Sequence, residues 1–176
     1  MKSRIFRANL LMMGCSSALS AFQSAFSHLR AYPDHVALIL AVEICSATYF
    51  VDETYETAVA NAIFGDGAAA ALLVTEGEGI EIVAFEPLVK PEYLDLMGWG
   101  QKQGRFRIIL SKEVRRIAPA MIEEVTEKLL QAQGLTKADI RHWVIHSAGR
   151  KVLDRTRDLV GLTEADLQAS RKILRQ

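Results

Sequence analysis

The apolar positions of the chain change period several times, and each change marks an element. Leu19, Phe22, Phe26 and Leu29 recur at helical spacing and predict a helix from about Ser16 to Arg30. Pro33-Asp34 ends it, because proline has no amide donor and biases its predecessor away from helical angles. Val36 to Val42 is an unbroken apolar run too short for a globular helix. It predicts a strand buried on both faces, giving way at Glu43, Cys45 and Ser46. Ile5 to Met13 reads as a short strand or extended lead-in.

The polar segment Asp52-Glu53-Thr54-Tyr55-Glu56 leads to a short helical pattern ending at Asn61-Ala62-Ile63-Phe64. Gly65-Asp66-Gly67 breaks it, and Ala68 to Val74 reads as a strand of small residues. After a turn at Gly77-Glu78-Gly79, Ile80 to Phe85 alternates as a half-buried strand. Residues 86–104, with Pro87, Pro91, Gly98, Gly100 and Gly104, read as a long irregular connection. Phe106 to Leu110 is a strand, and Ser111 is placed to cap a helix running to about Ala132. Val114, Ile117, Met121, Val125 and Leu129 form its core-facing row. Gly134 closes that helix, Trp143-Val144-Ile145 is a strand, and a helix from about Arg150 stops at Gly161. Thr163-Glu164-Ala165-Asp166 then caps a last helix. Strands and helices alternate throughout, which places the chain in the α/β class.

Composition narrows the functional classes. With 176 residues and 50% hydrophobic content, the chain supports one core and reads as one domain or a large piece of one. Lys+Arg and Asp+Glu both number 21, so no bulk field draws in nucleic acid or an anionic membrane, and an anionic ligand needs a local site. Cys15 and Cys45 give no disulfide framework and no zinc spacing, and the four histidines lack metal-site spacing. This usage fits a reducing cytoplasm and no metal. Lys2, Arg4 and Arg7 ahead of Leu10 to Cys15 mimic a signal sequence, but the apolar run is shorter than the usual span of about 7–15 residues. No stretch reaches the roughly 18 apolar residues of a membrane span.

The candidate chemistry begins at Cys15, directly before the first helical run. Unpaired amides and the macrodipole at a helix N-terminus favour a thiolate there. A buried cysteine is also simply a small hydrophobe, so Cys15 alone decides nothing. His146, at the end of one predicted strand and ahead of a helix, supplies the second half of a Cys–His nucleophilic pattern. Gly65 and Gly67 around Asp66 mark a tight turn where the backbone approaches another group, or a plain hairpin turn.

Cys15, the run Phe64-Gly65-Asp66-Gly67-Ala68-Ala69-Ala70, Phe85-Glu86-Pro87-Leu88-Val89 and His146 occur together in the order of one family. In these features the chain resembles the type III polyketide synthases, the chalcone and stilbene synthase-like enzymes of the thiolase superfamily. Met97-Gly98-Trp99 and Arg105-Phe106-Arg107 are similar to bacterial members, including the dihydroxyphenylacetyl-CoA synthases. The resemblance implies a thiolase-like layered α-β-α-β-α fold, incomplete at both ends. Within 1–176 it implies the end of an N-terminal half over about 1–75 and the start of a C-terminal half over about 76–176. It makes Cys15 the nucleophile that accepts an acyl group and His146 the residue that supports the thiolate and the malonyl-derived enolate. Phe64 matches the family's gatekeeper, and Cys45, two residues past Glu43, falls where the family lines its initiation pocket. The family's third catalytic residue, an asparagine, is expected beyond Gln176. Acyl-CoA and malonyl-CoA are the implied substrates, with no further cofactor and no nucleic-acid or membrane partner. A homodimer is implied for the full-length protein.

Two other readings stay open at this point. A ketoacyl synthase III-like enzyme shares the cysteine and a similar Gly-Asp-Gly turn, but its histidine typically opens a His-Gln-Ala-Asn motif, where this chain has His146-Ser147-Ala148-Gly149. A non-catalytic thiolase-fold remnant is the other. Ala148, where polyketide synthases carry glycine, requires a backbone that avoids positive φ at that position.

Overall fold

The computed structural model describes residues 5–48, 53–102 and 104–175; Lys2, Arg4, Asp52 and Gln176 lie outside them. The chain divides into two compact units, one formed by residues up to Glu43 with Asp66–Val83, the other by Ile44–Gly65 with Ala84 onward.

In the first unit a single 3-10 turn, Gly14–Ser16, feeds helix α1 (Ser17–Ala31). The hydroxyls at this start donate backward, Ser16 Oγ to the Met13 carbonyl at 3.0 Å and Ser17 Oγ to the Gly14 carbonyl at 2.7 Å. Strand β1 (Ala37–Glu43) pairs antiparallel with β2 (Gly67–Leu73), in a register running from Ala37 opposite Leu73 to Glu43 opposite Gly67. The alternation of β1 follows from its pleat. Ile39 is buried, as is Leu29 of α1, the helix packed on this strand, whereas Leu38, Leu40 and Val42 are each more than 60% exposed. The expectation of a strand buried on both faces is therefore corrected. Among the described residues only one face of this sheet is covered. Ile5–Met13 forms no strand.

The second unit opens with a 3-10 turn, Cys45–Thr48, and helix α2 (Tyr55–Ile63). Thr54 caps α2 by accepting the Thr57 amide on Oγ1 at 3.3 Å. Part of the connection expected to be irregular is ordered: a 3-10 segment over Pro91–Leu96 leads to a hairpin of β3 (Met97–Lys102) and β4 (Arg105–Leu110). Helix α3 (Val114–Ala132) starts with Glu113, not Ser111, as its N-cap; Ser111 Oγ accepts the Glu113 amide at 3.2 Å just before the helix. Ile80–Phe85 and Trp143–Ile145 form no strands, because neither has a ladder partner among the described residues. An alternating pattern offers a strand, but only pairing completes one.

Helix α4 (Arg150–Val160) and α5 (Gln168–Leu174) finish the unit. Val152, Leu153, Thr156 and Val160 lie on one buried stripe of α4, and the intervening Lys151, Arg155 and Asp158 face solvent. That stripe packs against α3, where Ile117, Pro119 and Leu130 are buried. Leu153, Val160 and Leu167 have no exposed surface and form the centre of the unit. Gly161 stops α4 in the left-handed region at φ +76°, its amide and that of Leu162 both returning to the Arg157 carbonyl at 2.9 Å. Arg171 then ties α5 to Asp154 at 2.7 Å and to Glu164 at 2.9 Å.

Thr156 is the exception in this stripe, since its Oγ1 is buried with no partner among the described residues. Two substitutions separate packing from polarity here. Leu153→Ala is expected to destabilise the unit by about 2–5 kcal/mol, through lost burial and the cavity left behind. Thr156→Val, which removes an unsatisfied hydroxyl at nearly constant volume, is expected to leave stability unchanged or raise it. Urea unfolding of both variants checks this; a large loss in Thr156→Val shows that the hydroxyl has a partner.

Candidate active site

Cys15 occupies the centre of the 3-10 turn that precedes α1. The chain reaches it through two left-handed residues, Met12 at φ +61° and Gly14 at φ +60°. Glycine accepts this conformation freely, but Met12 bears a cost of about 1–2 kcal/mol. Local strain thus sits three residues before the thiol.

The electrostatics differ from the sequence expectation. The Cys15 residue is exposed overall, yet protein atoms crowding the thiol desolvate it and push its pKa up. Its own backbone amide pulls the other way, and the negative charge of Glu43 adds a further rise. Desolvation is the largest of these effects. The resting thiol is protonated at neutral pH. Glu43 pairs with Gly67 in the sheet, so the end of β1 and the start of β2 belong to the same corner that sets the charge around Cys15.

The Gly65-Asp66-Gly67 segment is not a hairpin turn, because α2 intervenes between the paired strands β1 and β2. Neither glycine has positive φ, and a Cβ at either would meet nothing within 4 Å among the described residues. The expected close backbone approach is therefore not seen. Gly65 ends the first stretch of the second unit and Asp66 re-enters the first. Phe64 is the C-cap of α2, half-buried, its amide donating to the Ala60 carbonyl at 3.0 Å. Cys45 is buried, but on the 3-10 turn after β1 and not on a strand.

His146 belongs to the second unit, in an irregular segment that runs straight into α4. Ser170 of α5 holds this segment on both sides of the histidine. Its Oγ accepts the Ile145 amide at 2.9 Å, and its carbonyl accepts Ser147 Oγ at 2.7 Å. Ser147 thus supplies a hydroxyl donor to this clamp. The Ala148 amide returns to the His146 carbonyl at 2.8 Å. The left-handed residue here is Gly149, at φ +108°, and Ala148 avoids positive φ as its side chain requires. Partial burial lowers the His146 pKa, so the imidazole is neutral at pH 7. Ser170 was not identified from sequence, because a serine in a short helix carries no signal until its partners are known. Among the described residues no group of His, Cys, Asp and Glu is arranged to hold a metal ion, and no helix is long and apolar enough to cross a membrane.

Two outcomes follow from this geometry. Iodoacetamide alkylation of Cys15 should have its midpoint above the ordinary thiol range. Glu43→Gln, which removes a negative charge, should lower that midpoint and speed alkylation at neutral pH; no change would mean that Glu43 is too distant to act. Ser170→Ala should cost about 1–3 kcal/mol, since it strips the acceptor from the part-buried Ile145 amide. Denaturant unfolding measures that loss, and an unchanged midpoint would show that water replaces the hydroxyl.

A family model described as FAE1/Type III polyketide synthase-like protein matches residues 1–86. The 3,5-dihydroxyphenylacetyl-CoA synthase of Streptomyces toyocaensis is 38% identical over 96% of this chain and 46% of its own length. The enzyme of the same name from Amycolatopsis balhimycina is 35% identical over 96% of the chain and 47% of its own length. Among solved structures, 1,3,6,8-tetrahydroxynaphthalene synthase from Streptomyces coelicolor A3(2), a bacterial type III polyketide synthase, superposes with a TM-score of 0.81 at 25% identity. That match covers 93% of this chain and 47% of the solved one. PKS-I from the brown alga Ectocarpus siliculosus gives 0.79 at 25% identity, covering 91% and 44%. The chain spans about half the length of the curated relatives it matches. In its motifs and relatives the chain is similar to the type III polyketide synthases, and it has the thiolase-like mixed α/β fold of the solved ones.

Proposed function

We propose that this chain carries the nucleophile and the histidine of a decarboxylative condensing acyltransferase that joins a malonyl-CoA unit to a cysteine-bound acyl starter. The observation that carries the reading is Cys15 itself, set by left-handed backbone at the head of α1 and lying within the segment matched by the family model. The names of the two dihydroxyphenylacetyl-CoA synthases, which specify a CoA ester, support CoA thioesters as substrates.

The pKa directions fit the division of labour that the family resemblance assigns. A thiol held protonated must lose its proton to attack, and a histidine held neutral can accept it. Cys15 sulfur then bonds to the acyl carbon, the acyl–sulfur bond to CoA breaks, and the CoA thiolate leaves with a proton. Malonyl-CoA next loses CO2, leaving its electron pair as an enolate that a donor must stabilise. The enolate carbon attacks the Cys15 thioester, the new carbon–carbon bond forms, and the Cys15 thiolate is released. Phe64, Glu43 and Cys45 are assigned to the substrate pocket, and Gly65, Asp66 and Gly67 to a structural turn near it. Residues of about 1–75 and 76–176 are read as parts of the two halves of one condensing domain, in a cytoplasmic homodimer.

Incubation with an acyl-CoA followed by peptide mass mapping tests this. An acyl adduct on Cys15 is expected, abolished in Cys15→Ala and slowed by about 10²–10⁴-fold in His146→Ala. An adduct on Cys45 with Cys15 unmodified overturns the assignment.

A further inference from the structure

The hairpin of β3 and β4 carries three cations, Lys102, Arg105 and Arg107, and residues 97–110 contain no acid. Alternation along β4 puts Arg105, Arg107 and Ile109 on one face. The antiparallel register sets Gly98 opposite Ile109, Gly100 opposite Arg107 and Lys102 opposite Arg105. Opposite charges facing each other across a hairpin stabilise it and like charges weaken it, so the Lys102 and Arg105 pairing does nothing for the sheet itself.

Arg107 is the sharper anomaly. The residue is half-buried, and its Nε–H is cut off from solvent yet donates to no acceptor among the described residues. Neither Arg105 nor Arg107 has a carboxylate partner among the described residues. A charged group whose N–H has lost water and gained no acceptor is costly to keep, and such a group in a folded protein calls for a ligand or partner that completes it. Glycines leave room for one. A Cβ at Gly100 would stand 3.3 Å from Ile109 Cδ1 and 3.8 Å from Arg107 Cγ, and one at Gly98 would meet nothing within 4 Å among the described residues. Through Nε–H and a terminal N–H, a guanidinium offers the two parallel donors that a planar carboxylate accepts with both oxygens.

We propose that Arg107 binds the free carboxylate of a dicarboxylic acyl unit and so selects a starter whose far end is a carboxylate. The carboxylate chemistry rests on the hairpin alone; the acyl unit rests on the condensing-enzyme reading above. Loss of CO2 moves the carboxylate's electron pair onto carbon, so a cation clamped on a malonyl carboxylate stabilises the reactant and holds back that step. The unit held at Arg107 is therefore one whose carboxylate is retained. Two measurements on the full chain test this. In the first, the Arg107 Nε–H resonance of the 15N-labelled protein, assigned by its loss in Arg107→Lys, should move downfield with monomethyl succinate and stay in place with neutral dimethyl succinate. A resonance already downfield without ligand, no response to monomethyl succinate, or an equal response to inorganic phosphate overturns the proposal. In the second, succinyl-CoA and butyryl-CoA, which differ at the far end of the acyl group, compete to acylate Cys15, read by peptide mass. Succinyl should be preferred by about 10–100-fold; Arg107→Met should abolish that preference while butyryl transfer persists, and Arg107→Lys should keep part of it. Arg107→Met removes an unsatisfied buried N–H, so its thermal midpoint should hold or rise, which separates lost selection from lost folding. A wild-type ratio in Arg107→Met, or no preference in the wild type, overturns the selection. A response to monomethyl succinate with no acylation of Cys15 by either thioester would instead refute the condensation reading and leave the carboxylate site standing.

Discussion

The apolar stripe of α4 is the constraint on which the second unit depends. Leu153 and Val160 must be covered, and α3 and Leu167 cover them. Once that seam closes, the two ends of α4 are fixed. Its start fixes where the chain emerges from His146, and its glycine-terminated end sends the chain back towards α5. Ser170 then reaches the residues flanking the histidine with both its hydroxyl and its carbonyl. The position of one imidazole is thus set by hydrophobic burial several residues away, and hydrogen bonds refine it.

The same helix faces two ways chemically. Its inner stripe is apolar, and its outer face carries Lys151 and Arg155 beside the basic start of α3. Basic residues at helix starts forgo the favourable charge–dipole interaction that acids would provide there. At Cys15 desolvation and Glu43 hold the thiol neutral. A protonated thiol is the less reactive form, which limits oxidation and stray alkylation.

The sheet of β1 and β2 shows how burial depends on neighbours. Leu38, Leu40, Val42 and Leu72 lie exposed, although their sequence reads as interior. A contiguous apolar face of this kind marks a surface that binds or aggregates when uncovered. For Ile80–Phe85 and Trp143–Ile145, apolar content likewise promised strands for which the described residues provide no ladder.

Local chemistry determined which segments are helical and where they stop. The 3.6-residue periods of α1 and α3 and the stop of α4 at Gly161 were legible because helix hydrogen bonds, propensities and caps lie within a few residues of sequence. The order of Cys15, the Phe64–Ala70 run and His146 was legible because residue identity and order need no folding, and it carried the resemblance. Long-range contact decided the rest. Whether an extended segment becomes a strand depends on a partner elsewhere in the chain, and which face of β1 is buried depends on what packs there. The neutral state of the Cys15 thiol, the Ser170 clamp on His146 and the gathering of Lys112, Arg115, Lys151 and Arg155 around one cleft all require distant residues to meet. Only tertiary structure brings such residues within the few ångströms over which desolvation, hydrogen bonds and charge act.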